Sequence, residues 1–243
     1  MWQLTYHAHN VQFGIGGTLI AGDAKDALAL AATTIAAVSR MPKGPAFYDM
    51  TAGTGYFAEG RFADPDAVLA LPEPNADHPF LRGYRHYARC DALARRVDAA
   101  GVRAEADAIP LKIAGTDPKD DSAPIAVAML RIAKLVLLGR AAMLDHQPGM
   151  AARYYAAAAK LEESKRFAAW TDPPSWWYPV RRSLAAALLA DGKPVAAQVE
   201  ADAALKRRPR DPVTLALRDQ IAAALAGTPT PPANAIASHP TLI

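Results

Sequence analysis

The chain has 243 residues, 51% hydrophobic and 21% charged, enough for one or two domains with a buried core. Its 27 basic and 24 acidic residues leave a net charge of +3, without the concentrated basic stripe of a nucleic-acid-binding surface, and its one cysteine excludes an internal disulfide. Fifty-six alanines against 7% aromatic residues point to helices, because alanine has the highest helix propensity and a sheet protein would draw on β-branched and aromatic residues.

Residues 1–10 lack the basic region and apolar run of a signal peptide, so a cytoplasmic location is expected, or a periplasmic one if the chain is a fragment. Helices are predicted over 11–21 and 24–38, broken at Gly22-Asp23, with Asp23 capping the second. Ala27, Leu28, Ala31, Ile35 and Val38 fall on one stripe, and the short break folds the pair into an antiparallel hairpin. After a loop at 42–45, a helix over 47–59 is weakened by Gly53 and Gly55 and ended by Gly60-Arg61-Phe62. Gly53-Thr54-Gly55 follows no strand and precedes no Gly-Lys-Ser/Thr, so it reads as structure and not as a phosphate loop. Asp64-Pro65 starts a short helix that Pro72 and Pro74 stop.

A long helix follows over 79–96, with Phe80, Tyr84, Tyr87, Cys90 and Leu93 on one face; Cys90 reads as buried filler there. Gly101 interrupts, and 102–109 is the return helix. After a polar loop at 114–121, the longest helical pattern runs over 123–144. Its apolar stretch is interrupted by Lys134 and Gly139, so no membrane span is expected. Residues 148–164 return; adjacent Glu162 and Glu163 diverge on that helix and read as a solvated face. A connector over 167–175 leads to a hairpin of 177–190 and 194–207, broken at Asp191-Gly192-Lys193. The basic cluster Lys206-Arg207-Arg208 with Arg210 reads as a solvated helix end that compensates the dipole. Asp211-Pro212 starts a last helix to 226, ended by Gly227, and the proline-rich 228–243 reads as a disordered tail beyond a helical domain over 1–227.

The clearest repeat runs through Arg181, Leu184-Ala185, Leu188, Gly192, Ala197, Ala201, Ala204 and Pro209, a spacing that resembles the tetratricopeptide repeat. Ala185, Ala197 and Ala204 are small where the helices come closest, and Gly22 with Ala27 repeats the spacing of Gly192 with Ala197. The fold class is therefore all-α, a TPR-like right-handed superhelix of about five irregular helical hairpins. A closer resemblance runs through His9-Asn10 with Phe13 and Gly22, Gly60-Arg61-Phe62, Leu71-Pro72, His86-Tyr87-Ala88-Arg89, and Pro173-Pro174 with Trp177-Tyr178-Pro179-Val180-Arg181 and Ser183-Leu184. In this order they resemble the C-terminal half of a family of bacterial tetratricopeptide-repeat proteins, over about residues 5–226. The resemblance implies further helical repeats before this segment, so that the chain is a truncated relative or a fragment, and it implies no established activity.

In such a superhelix the first helix of each pair lines the concave surface. Tyr84, His86, Arg89, Trp177, Tyr178, Arg181 and Arg182 are therefore candidate groove residues. Arginine offers a planar fork for carboxylates, and aromatic rings supply contact area at low entropic cost. For Trp177 and Tyr178 the competing reading is packing between repeats. His7 and His9 are weak metal candidates, because residues two apart share a face only in an extended segment and no nearby carboxylate or cysteine completes a ligand set. No nucleophile–base pairing stands out, and no cofactor is expected. The leading expectation is a module that binds a peptide or protein segment in its groove. The alternatives are a small-ligand or metal-dependent enzyme using His7, His9 or His86, and a structural subunit that self-associates through its apolar N-terminal end, Met1-Trp2 and Leu4.

Overall fold

The computed structural model describes residues 5–113, 117, 119–170 and 174–227, and among these it contains helices and turns but no strand. The suggested tail over 228–243, Pro173 and the apolar end at Met1-Trp2 and Leu4 lie outside the described residues.

The first hairpin follows from its turn chemistry. Helix α1 (Thr5–Ala21) and helix α2 (Ala24–Val38) are joined through Gly22, which takes the left-handed φ of +77° that a side chain disfavours. Asp23 then accepts the amide of Asp26 at 3.1 Å and caps α2. Helix α1 starts earlier than its apolar pattern predicts, at Thr5, and Ala8 is already fully buried.

Helix α3 (Ala46–Phe62) runs straight through the glycines read as breakers. They are instead points of close approach. A Cβ on Gly53 would lie 2.5 Å from the Tyr84 ring, one on Gly55 3.3 Å from the Ala31 backbone, and one on Gly60 3.0 Å from Ala88 Cα. Only glycine lets α3 be pressed between α2 and the helix that carries Tyr84 and Ala88. Because Pro45 offers no capping side chain, the first amides of α3 are capped from far away. Ala46 N–H donates to Asp120 Oδ2 at 2.7 Å and Phe47 N–H donates to Ser122 Oγ at 2.9 Å. Burial pushes the Asp120 carboxyl up, but the amides of Ala46 and Ser122 and the Ser122 hydroxyl outweigh it and hold it below the usual range. Asp120→Ala is expected to cost about 1 kcal/mol of stability in urea denaturation, the worth of a lost cap.

After the short α4 (Pro65–Leu69), α5 (Pro79–Arg95) packs on α3, and Arg95 Nη1 donates to the carbonyls of Gly60 at 3.1 Å and Ala63 at 2.7 Å, closing the end of α3. Helix α6 (Ala99–Ala108) begins before Gly101, not after it. Val97 makes the reversal with φ +60°, and Asp98 accepts the Gly101 amide at 2.8 Å, so Gly101 sits inside the first turn. The remaining elements are α7 (Ala123–Leu144), α8 (Pro148–Glu162), α9 (Lys165–Ala168), α10 (Arg181–Ala190), α11 (Pro194–Arg207) and α12 (Pro212–Leu225). No helix among the described residues is long and apolar enough to cross a membrane.

Packing is largely between neighbours. Helix α1 rests on α2 and α3, α3 on α2 and α5, α5 on α6 and α7, α7 on α8, α8 on α10, and α10 on α11 and α12. One connected core runs along this series through Leu19, Ala31, Phe57, Tyr84, Leu130, Tyr155 and Leu189. The hairpin of α10 and α11 turns at Gly192 with φ +70°, and Ala197 is fully buried five residues on, as Ala27 is after Gly22. Helix α10 starts only at Arg181, later than predicted. The preceding residues 175–180 are bends and turns, and their side chains are buried. Proline at 179 disfavours the helical conformation for Tyr178, and the burial of Trp176 and Trp177 holds the run elsewhere.

Candidate functional site

The run before α10 reaches back across the molecule. Trp176, Trp177 and Tyr178 are only 2%, 6% and 1% exposed. The Trp176 ring meets Phe57 of α3 at 5.1 Å and Tyr87 of α5 at 5.8 Å, both edge to face. Two guanidinium groups lie over Trp177, Arg61 of α3 at 4.6 Å and Arg182 at 4.9 Å, and Arg182 is also 4.0 Å from the Tyr178 ring. Thus the chain's own aromatic run covers Phe57 and Arg61 of α3 and Tyr87 of α5.

Buried ion pairs surround these rings. Arg182 Nη1 donates to Asp211 Oδ1 at 3.1 Å, while Asp211 accepts the Thr214 amide at 3.0 Å and the Thr214 hydroxyl, capping α12. Arg140 of α7 pairs with Asp91 of α5. Burial and the neighbouring Arg182 push the Arg61 guanidinium down to about 10. Several donors here find no acceptor among the described residues: Nε and Nη1 of Arg61, Nε and Nη2 of Arg182, and the indole N–H groups of Trp176 and Trp177. A buried donor left unpaired costs about 1–3 kcal/mol.

The predicted groove residues therefore divide into two sets. Tyr84, Trp177, Tyr178 and Arg182 are core residues, with the Tyr84 ring 6.1 Å from Phe57 and its hydroxyl turned to Met129 Sδ at 3.5 Å. His86, Arg89 and Arg181 are partly exposed, but each is already paired with a carboxylate of this chain. His86 Nδ1 and Arg89 Nε share Glu105 at 2.6 and 2.7 Å, tying α5 to α6. Arg181 forks Glu163 at 2.5 and 2.7 Å and reaches Glu200 at 2.5 Å. His7 and His9 stand on α1, where two residues turn through about 200°, so they face different sides. The His9 ring packs against Phe13 at 5.0 Å. Among the described residues no group of three or more His, Cys, Asp or Glu is placed to hold a metal. Cys90 is buried, with its thiol directed at the Val102 carbonyl at 3.4 Å.

Several concavities stand outside this core among the described residues, and two of them gather polar and aromatic groups. A cleft of about 650 Å³ lies at the starts of α3, α5 and α7, lined by Lys43, Asp49, Phe80, Asp120 and Ser122 among others. Behind its wall His78 Nδ1 meets Asp49 Oδ1 at 2.7 Å and His78 Nε2 meets the Met41 carbonyl at 3.0 Å. Burial pushes the Asp49 carboxyl up, against the pull of His78. Both ring nitrogens are taken and the Ser122 hydroxyl is bound to Asp120, so this histidine does not activate that serine.

The second concavity, about 310 Å³, is formed by the end of α8, α9, the aromatic run and the end of α11. Phe167, Trp170 and Trp176 supply its apolar wall, and Glu162, Arg207 and Arg208 its charged groups. Here the sequence expectation fails for Glu162 and Glu163. Glu162 is buried and accepts the Val180 amide at 2.8 Å, and Glu163 holds Arg181, because both turn toward α10 and not to solvent. Burial raises the Glu162 carboxyl above its usual range, against the pull of the Val180 amide. Arg208 also departs from the solvated helix end: it lies past α11, half-buried, and its guanidinium makes no hydrogen bond or ion pair among the described residues. The only earlier pointers to these groups were the Gly60-Arg61-Phe62 motif for Arg61 and the basic cluster for Arg208.

Comparison with protein-family models, with curated proteins and with solved structures finds no match to this chain.

Proposed function

We propose that the chain is a tetratricopeptide-like helical-repeat module that binds a peptide or protein segment, and that the segment docks in the pocket between α8, α9, Trp176 and the end of α11. The observation that carries this reading is the pocket itself: a roughly 310 Å³ recess with three aromatic side chains and two arginines on its wall. Aromatic and arginine side chains are the usual anchors of protein interfaces. Neighbour-to-neighbour packing of the helices and the matched turns at Gly22 and Gly192 support the repeat architecture, as does the resemblance to bacterial tetratricopeptide-repeat proteins. The pocket is preferred to the inner sides of α3 and α5 because Trp176 and Trp177 already cover Phe57 and Arg61 there.

Selection of short random peptides displayed on phage against the full chain tests this. A set of enriched peptides is expected, and Trp170→Ala should weaken them by about tenfold or more, the effect of losing an aromatic anchor. Arg181→Ala, whose fork is already filled by Glu163 and Glu200, should leave their affinity unchanged. Failure to enrich any peptide, or enrichment indifferent to Trp170, rejects the assignment.

A further inference from the structure

The charged side of the same pocket narrows the chemistry of the partner. Arg208 is the group to explain. It is half-buried, and the two described carboxylates that act on it, Glu162 and Asp211, are engaged elsewhere. Glu162 accepts the Val180 amide and faces Arg207 at 3.6 Å. Asp211 is taken by Arg182, the Thr214 amide and the Thr214 hydroxyl. Burial pulls the Arg208 guanidinium below its usual range, and Glu162 and Asp211 restore only part of the loss. The dipole of α11 accounts for Lys206 and Arg207 in its last turn, but Arg208 lies beyond it with φ −136° and ψ 84°, turned out of the helix. Arg208 also borders a second recess, lined by Ile20 and by residues 209–211, so its guanidinium stands between two openings. Among the described residues Arg207, Arg208 and Arg210 border this region with Glu162 and Asp211; Asp211 is already paired with Arg182, and Glu163, which Arg207 reaches at 3.5 Å, is held by Arg181, which leaves cationic excess beside an aromatic wall.

We infer that the bound segment carries an acidic residue, its carboxylate received by Arg208 with Arg207 alongside, next to an apolar residue set against Phe167 and Trp170. The inference rests on the pocket being the peptide site. A carboxylate matches the planar fork of arginine and removes the cost of an unpaired, half-desolvated cation. The neighbouring aromatic rings exclude water from the pair and so strengthen it.

Two phage libraries of short peptides, random except for a central Glu in one and a central Gln in the other, separate the possibilities. The Glu library is expected to yield binders about tenfold tighter than the Gln library. For the best Glu peptide, changing Glu to Gln and changing Arg208→Gln should each lower affinity by that factor, and the two together should lose little more, since both remove one contact. Equal yield from the two libraries, or losses that simply add, overturns the acidic specificity while leaving the peptide site standing. No binders from either library overturns both. The Glu-against-Gln comparison on the unaltered protein decides the matter even if Arg208→Gln does not fold.

Discussion

Arg182→Met is expected to lower the stability of the folded chain by about 3–5 kcal/mol, the cost of leaving one charge of a buried pair without its partner. The side chain is 1% exposed. Its Nη1 is 3.1 Å from Asp211 Oδ1 and 3.5 Å from Oδ2, and its guanidinium lies over Tyr178 and Trp177. Burial pulls the Arg182 guanidinium below its usual range even with Asp211 beside it, so the pair is held in a place that resists charge. Methionine fills much of the same volume, so the cavity contribution is small and the loss reports the charge. Asp211 keeps its bonds to Thr214 but not its counter-ion. In the double variant Arg182→Met with Asp211→Asn no charge is left stranded, and asparagine still caps α12, so most of the loss should return. Guanidinium denaturation of the three chains checks this. A single variant within about 1 kcal/mol of the parent, or a double variant no better than the single, would show that the pair is not what holds the run to α12.

What could be read along the chain was local. Gly22 and Gly192 mark turns because only a left-handed residue closes them, and Asp23, Asp64 and Asp211 mark helix starts because their carboxylates accept the first free amides. The bounds of α2, α7 and α11 fall where turn residues and prolines put them. What could not be read depends on residues distant in sequence. Gly53, Gly55 and Gly60 look like breakers until Tyr84, Ala31 and Ala88 are brought against them. Trp177 reads in the sequence as the start of a helix, yet Trp176 and Trp177 find their partners in Phe57, Tyr87 and Arg61, about a hundred residues earlier. Arg181 is a free fork in the sequence and a filled one in the fold, since Glu163 and Glu200 come from the two helices packed on either side of it. Exposure of an arginine was therefore a poor guide to availability. The informative case is Arg208, half-buried with its guanidinium unmatched, and no sequence pattern separates it from Arg207.

Two substitutions at Trp176 should behave oppositely, and together they separate packing from polarity. Trp176→Ala is expected to cost about 3–5 kcal/mol, as for a large aromatic side chain removed from a core. It abandons the ring contacts to Phe57, Tyr87 and Tyr178 and leaves a hole between α3, α5 and the run before α10. Trp176→Phe keeps a ring in that place and loses the indole N–H, which finds no acceptor in the core. An unpaired buried donor carries a penalty of about 1–3 kcal/mol, comparable to the contact area lost on going from indole to phenyl. The two changes offset, so Trp176→Phe should stay within about 1 kcal/mol of the parent by chemical denaturation. Hydrogen exchange supplies an independent readout. In Trp176→Ala the amides of α3 around Phe57 should exchange faster, while those of α11 and α12, whose packing is on α10 and on each other, should keep most of their protection. A phenylalanine variant as damaged as the alanine one would mean that the indole N–H is satisfied and that a polar contact, not ring packing, fastens the aromatic run to α3.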